Sequence, residues 1–226
     1  MKIEDNTQPV AKLTRSLLIA VEGADGVGKQ TTTEELANKL RTVGYPVIVV
    51  SCPDYDSTTG DTLRRYLRGE LSDGRVSPYL IAPLYELNRL EIQKSIQSYL
   101  NGRYLILCDR WTLSNAAYQG ATIAEEADRR AFYQYLFLLQ DELGLRQPDI
   151  TLYLDVDPSE VTYNREKDMH ESDFMFQVAV QRCYAELLLD VNTHTLRRPA
   201  HVDKATSIDT IAEQAAFLVM QDIDLL

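Results

Sequence analysis

Between the apolar run Leu17-Leu18-Ile19-Ala20-Val21 and the helix-patterned stretch Gln30 to Thr42 lies Gly23-Ala24-Asp25-Gly26-Val27-Gly28-Lys29. Strand, glycine-rich loop and helix follow one another in the order that a phosphate-binding loop requires. Residues without a Cβ let the backbone curl so that successive N–H groups converge on an anion at the positive end of the following helix. In such a loop the lysine, here Lys29, reaches the outer phosphates of a nucleotide. A Ser or Thr usually comes next and ligates magnesium, but here the next residue is Gln30. Thr31 follows, turned by about 100° round the helix. The metal therefore needs other oxygens, and Asp25, Asp109 and Glu171 are the candidates.

The 226 residues, 45% of them hydrophobic, suffice for one substantial core. A single domain is expected over 16–226, after a flexible amino-terminal tail at 1–15. A net charge of -11 argues against nucleic acid as a partner, because non-specific affinity for DNA or RNA comes from dense Lys and Arg. Three scattered cysteines, Cys52, Cys108 and Cys183, propose neither a disulfide framework nor a zinc site. The polar amino terminus lacks the apolar core of a signal peptide, and no apolar run nears the ~20 residues that span a bilayer. A cytoplasmic protein without a membrane partner is expected.

Along the chain, Leu36, Ala37, Leu40 and Val43 recur at helical spacing before Gly44 and Pro46. Val47 to Val50 reads as a strand covered on both faces. Cys52-Pro53-Asp54-Tyr55 follows it, where open α/β sheets carry ligand contacts. A short amphipathic helix covers Asp61 to Glu70, and Ser77-Pro78 opens a long one running to about Leu100. On it, Tyr85 and Arg89 sit four apart and so share a face, an aromatic ring and a guanidinium able to stack on a base and bond its edge. Tyr104 to Cys108 is a third strand that delivers Asp109-Arg110, with the carboxylate facing the loop and metal as in a Walker B strand and the guanidinium free to fork onto a phosphate. Ser114, Asn115 and Tyr118 provide small and hydrogen-bonding groups at one-turn spacing.

Ile123 to Glu142 is an amphipathic helix with an aromatic face, Phe132, Tyr135 and Phe137, whose excess could form a subunit interface. A fourth strand spans Ile150 to Val156, and Asp157-Pro158 opens a further helix. Arg165, Lys167, His170 and Glu171 form a mixed-charge segment of the kind that closes over a nucleotide. After a helix from about Ser172 to Val191, His201-Val202-Asp203 reads as a fifth strand, and Thr206 with Asp209 caps a last helix. Alternating strands and helices predict an α/β domain with a five-stranded parallel sheet covered on both faces.

Val21 to Lys29, Pro53, Asn88-Arg89 with an aromatic four residues before the arginine, Asp109-Arg110-Trp111, Ser114 to Tyr118, Gln147 to Asp155 and Asp168-x-His170-Glu171 together resemble the thymidylate kinase family, from about Leu17 to Leu218. The resemblance implies a three-layer P-loop kinase fold with a short lid at about 163–172, a homodimer formed through helices, and transfer of the γ-phosphoryl of MgATP to dTMP. It implies that Gly23, Ala24, Asp25, Gly26, Val27, Gly28, Lys29, Gln30 and Thr31 hold the donor. Asp25, Pro53, Tyr55, Tyr85, Arg89, Arg110, Ser114, Asn115 and Tyr118 would hold the acceptor. Tyr85 would stack on the pyrimidine, Arg89 address its carbonyl edge, Arg110 and Tyr55 approach the acceptor phosphate, and Glu171 hold lid and metal. The catalytic groups would be Lys29, Arg110, Asp25 and a lid cation, Arg165 before Lys167, because Gly26 stands where some members carry a loop arginine. The chain departs from the family pattern at Gln30, at Asp54, where many members have Arg, and at His170, where an aromatic ring is common.

Two other readings compete. A kinase of the same fold acting on dUMP or a modified pyrimidine deoxynucleotide would use the same residues, since one methyl group is worth only ~1–3 kcal/mol. A nucleotide-dependent regulatory module would carry Asn-Lys-x-Asp after a strand, and the one Asn-Lys pair, Asn38-Lys39, lies instead inside the first helix pattern.

Overall fold

The computed structural model describes residues 13–71, 76–161, 174–190, 193–199 and 204–225. Five strands, β1 (Leu17–Glu22), β2 (Val47–Ser51), β3 (Leu105–Asp109), β4 (Ile150–Asp155) and β5 (Thr193–Arg197), pair in parallel in the order β2-β3-β1-β4-β5. The helices are α1 (Lys29–Thr42), α2 (Thr58–Leu67), α3 (Pro78–Ser95), α4 (Gln97–Leu100), α5 (Thr112–Gly120), α6 (Glu126–Glu142), α7 (Phe174–Leu187) and α8 (Lys204–Leu225).

Side chains of a strand alternate between the two faces of its sheet, and the apolar residues of β1 and β3 divide accordingly. Leu18, Ala20, Ile106 and Cys108 pack with Ile92, Ile96 and Trp111, while Leu17, Ile19, Leu105 and Leu107 join Leu36, Leu40 and Val219. Both strands are buried along almost their whole length, so their continuous hydrophobicity is that of a sheet covered on two sides. All three cysteines are buried and reduced, and burial pushes the Cys52 thiol up to about 12.

Several boundaries differ from expectation. β2 is an edge strand whose Ile48, Val49 and Val50 are only half-buried, not covered on both faces. The long helix breaks at Ile96, where the Ser95 hydroxyl donates to Ile92 O at 2.7 Å in competition with the backbone ladder. Ser77 precedes α3 without a side-chain cap. The Asp157-Pro158 signal starts a three-residue 3₁₀ turn, Pro158–Glu160. The fifth strand is Thr193–Arg197, whereas 201–203 lie outside the described residues. Only Leu196 of that strand is fully buried, so its polar sequence carried little periodic signal. α8 begins before Thr206, which lies within the helix. Leu13 is buried and Arg15 pairs with Asp149 at 2.6 Å, so the described end of the expected tail packs on the domain, while 1–12 lie outside the described residues.

Among the described residues no helix is long and apolar enough to cross a membrane.

Candidate active site

Parallel α/β sheets bind ligands beyond the carboxyl ends of their strands, where the strand order reverses. Here that place lies between β1 and β3. β1 ends in Glu22 and passes into the loop Gly23–Gly28, in which Gly23, Gly26 and Gly28 all have positive φ, a region open to glycine and strained for other residues. At Gly23 a Cβ would also press within 3.0 Å of Leu154 O. The loop leads into the amino terminus of α1, whose first N–H groups have no helical partner.

Lys29 is buried at that terminus, with Nζ donating to Ala24 O across the loop. Burial, and then the neighbouring Arg110, lower its pKa to about 8. Gln30 and Thr31 point outward and are exposed, while Thr32 is buried with its hydroxyl unpartnered. The register shift after Lys29 therefore leaves no hydroxyl where a P-loop usually has one.

β3 ends in Asp109, whose Oδ1 is buried and without a partner, and burial raises its pKa despite Lys29 and Arg110 nearby. Arg110 follows with φ 69°, a left-handed conformation unusual for a side-chain-bearing residue and typical of functional sites. This turn directs its guanidinium back over the loop. Nη1 donates to Gly23 O at 3.0 Å and Ser114 Oγ at 3.2 Å, and Nη2 donates to an Asp25 carboxylate oxygen and to Tyr118 Oη at 3.2 Å. Cζ also stands 4.9 Å from the centre of the Tyr118 ring. Burial pushes the Asp25 carboxyl up, but Arg110 and Lys29 more than offset it and hold the group below the usual range. Gln177 of α7 grips Asp25 from the other side, its Nε2 donating to Oδ2 at 3.1 Å and its Oε1 accepting from the Asp25 backbone N–H.

Beside this cluster lies an open cavity. Of the residues singled out for an acceptor, Asp25, Pro53, Tyr55, Tyr85, Arg89, Arg110, Ser114, Asn115 and Tyr118 all line it, joined by Cys52, Leu67 and Gln119. The Cys52–Pro53 peptide is cis. Arg89 is buried, its Nη1 donating to Tyr85 O at 3.1 Å and Nη2 to Trp111 O at 2.6 Å, which ties α3 to the start of α5. Asn88 faces the preceding loop: its Oδ1 accepts from Asp54 N, and its Nδ2 donates to Asp54 O, Ser57 Oγ and Thr59 Oγ1. Asp54 is exposed and accepts from Asp56 N at 3.0 Å.

Sequence reasoning missed several residues that organise the cluster. Glu22 is completely buried and accepts from Trp111 N, Tyr184 Oη and Ser114 Oγ, so one carboxylate at the end of β1 holds the start of α5 and the side of α7. Gln177 and Glu86 were equally hidden, because nothing in their local sequence marks them. Arg165, Lys167, His170 and Glu171 lie outside the described residues. Among the described residues no three His, Cys, Asp or Glu side chains gather as a metal cage. Asn38 and Lys39, the Asn-Lys pair weighed for a regulatory module, are in α1, and Lys39 pairs with Asp209 of α8 at 2.6 Å.

A glycine loop capping a helix at the centre of a 2-3-1-4-5 parallel sheet, with an aspartate-ended strand beside it and an aromatic and cationic cavity next door, defines a P-loop kinase of nucleoside monophosphates. The sequence matches the family model described as thymidylate kinase over residues 21–213. It is 32% identical to thymidylate kinase of Mycobacterium tuberculosis over 182 residues, covering 76% of this chain and 85% of the relative. It is 31% identical to thymidylate kinase of Rhodopirellula baltica over 220 residues, 94% of this chain and 84% of the relative. The structure of thymidylate kinase from Candida albicans superposes with a TM-score of 0.73 at 25% identity, covering 92% of each chain. The chain belongs to the thymidylate kinase family.

Proposed function

We propose that this protein transfers the γ-phosphoryl group of ATP, with Mg²⁺, to the 5′-phosphate of dTMP, giving dTDP and ADP. One observation carries the reading: Arg110 touches the glycine loop at Gly23 while lining the cavity that contains Tyr85, Arg89 and Asn115, so donor and acceptor sites share a single cation. In the transfer, an acceptor phosphate oxygen bonds to the γ-phosphorus as the bond to the β,γ-bridging oxygen breaks. Catalysis of such a step is chiefly placement and charge neutralisation. Lys29 and the N–H groups of residues 23–31 hold the donor phosphates, and Arg110 draws the two phosphates together. Asp25 keeps Arg110 in place and addresses the sugar, Tyr85 stacks on the base, and Tyr118 crowds the position of a ribose 2′-hydroxyl. Pro53, Tyr55 and Ser114 border the acceptor phosphate.

The orphaned Asp109 Oδ1 fits a magnesium shell, and each oxygen of Asp25, accepting from Arg110 or Gln177, keeps a further lone pair for metal or sugar. Magnesium needs few protein ligands, taking most of its shell from phosphate and water. When bound, it neutralises phosphate charge. Glu171 as a further ligand and Arg165 as the lid cation complete the proposal.

We further infer a homodimer in the cytoplasm. Leu80 and Leu87, seven apart on α3, and Phe137 and Leu138 of α6 are exposed at 73%, 42%, 37% and 66%. Apolar side chains so placed on two helices that pack on each other suit a subunit contact. The decisive assay is ADP release with a panel of nucleoside monophosphates. The highest kcat/KM is expected for dTMP, and higher values for dCMP or dGMP would overturn the assignment.

A further inference from the structure

Glu86 lies on α3 between Tyr85 and Arg89, with no exposed surface. A fully buried carboxylate is costly unless its neighbours compensate it. Here one oxygen, Oε2, has no partner, and of the three groups at Oε1 two, Asn115 and Arg89, line the acceptor cavity. Glu86 Oε1 accepts from Asn115 Nδ2 at 2.6 Å and from Gln140 Nε2 at 3.1 Å, and stands 3.9 Å from Arg89 Nη1.

The consequence falls on Asn115. Its Nδ2 donates to Ala82 O at 3.0 Å as well as to Glu86, and both partners present oxygens. A carbonyl oxygen can only accept, so this pair of neighbours dictates which way the amide is turned. Reversal would set Asn115 Oδ1 against two oxygens. Oδ1 is left buried and unpartnered, as is Nε of Arg89, and both residues line the cavity. One is an acceptor and the other a donor.

We propose that Glu86 is a positioning residue for base specificity, holding Asn115 and Arg89 as an adjacent acceptor and donor for the N–H and C=O of a pyrimidine lactam edge. The inference rests on reading this cavity as the base pocket. Thymine and uracil present a ring N–H beside a carbonyl, whereas cytosine presents a ring lone pair beside an amino group. Cytosine would therefore oppose acceptor to acceptor and donor to donor, leaving buried groups unpaired, which is a stronger basis for rejection than shape. The single methyl separating thymine from uracil is untouched by this device.

The test compares Glu86→Gln and Glu86→Leu with the unaltered enzyme on dTMP and dCMP. Glutamine keeps an acceptor for Asn115 and loses the charge, while leucine removes both. The dTMP/dCMP ratio of kcat/KM is expected to fall roughly tenfold or more in Glu86→Leu, chiefly through KM for dTMP, and to stay within about threefold of the original in Glu86→Gln. A leucine variant that melts cooperatively and keeps the ratio overturns the proposal. So does a glutamine variant that loses the ratio as fully as leucine, since charge on Arg89 would then be the whole effect. An unaltered enzyme that uses dCMP as well as dTMP would refute the base-pocket reading itself, in a row of data separate from the variants. If the leucine variant fails to fold, the Asn115 side-chain amide protons in the unaltered protein decide. Held by Ala82 and Glu86, they should exchange slowly with solvent before any nucleotide is added, and rapid exchange of both would overturn the proposal.

Discussion

Lys29 illustrates how one residue's protonation can report on a whole site. In the free protein its charge is opposed by burial and by Arg110, and its pKa stands at about 8. Donor phosphates would bring negative charge against Nζ and raise that value. Above pH 8 the free enzyme then holds Lys29 largely neutral while the complex holds it charged, so ATP binding must take up a proton and weaken as pH rises. Calorimetry at about pH 9 in two buffers of different ionisation enthalpy should give different apparent heats, and Lys29→Ala should erase the difference. Identical heats for the unaltered protein would contradict this account. Lys29, Asp25 and Arg110 were legible in the sequence because their motifs are local. Gln177 was not, since it meets Asp25 across 152 positions, nor was Glu22, which meets Tyr184 across 162.

Among the elements, the loop between β2 and α2 depends on a helix outside it. Asn88, buried on α3, makes four hydrogen bonds to Asp54, Ser57 and Thr59, and Gly60 lies so close under the loop that a Cβ would stand 1.9 Å from Asp54 O. Asn88→Ala strands the Asp54 N–H, while the Asp54 carbonyl keeps the Ser57 hydroxyl as a donor at 3.0 Å, and the loss costs about 1–3 kcal/mol. The melting temperature should fall by a few degrees for each kcal/mol in a domain of this size, to roughly 2–12 °C below the original. KM for the acceptor should rise while KM for ATP stays close to its original value, because Pro53 and Tyr55 line the acceptor cavity and Lys29 does not. An equal rise in both would place the loop's influence elsewhere. α3 carries a second element-scale device in Pro83, which has no N–H for Tyr79 O; the Tyr135 hydroxyl of α6 donates there at 3.4 Å instead. Tyr135, expected on the aromatic face of its helix, thus serves a carbonyl as well as a packing surface.

For the molecule as a whole, the exposed leucines of α3 and α6 make assembly the property to test. Leu138→Glu combined with Leu80→Glu places charge on side chains that are 66% and 73% exposed, so the fold itself should tolerate the changes. Light scattering after size exclusion should show a dimer for the unaltered chain and a monomer for the double variant. A monomeric unaltered chain would end the homodimer reading. The same reasoning explains why periodicity found these helices but not their partner: an apolar stripe on a helix says that it is covered, and the covering surface belongs to another part of the structure or another copy.

The amino-acid sequence by itself determined the strand, glycine loop and helix around Lys29 and the alternation that makes a parallel sheet, whereas likeness to a family pattern named the residues expected at the cavity. The first two rest on interactions within a few positions: backbone freedom at glycine, apolar periodicity, and side chains one helical turn apart. Tertiary structure alone decided that β2 is an edge, that Glu22 joins β1 to α5 and α7, that Gln177 holds Asp25, and that Glu86 turns the Asn115 amide. Each of those outcomes is a hydrogen bond or a burial between distant segments, and its geometry exists only after the helices have packed on the sheet.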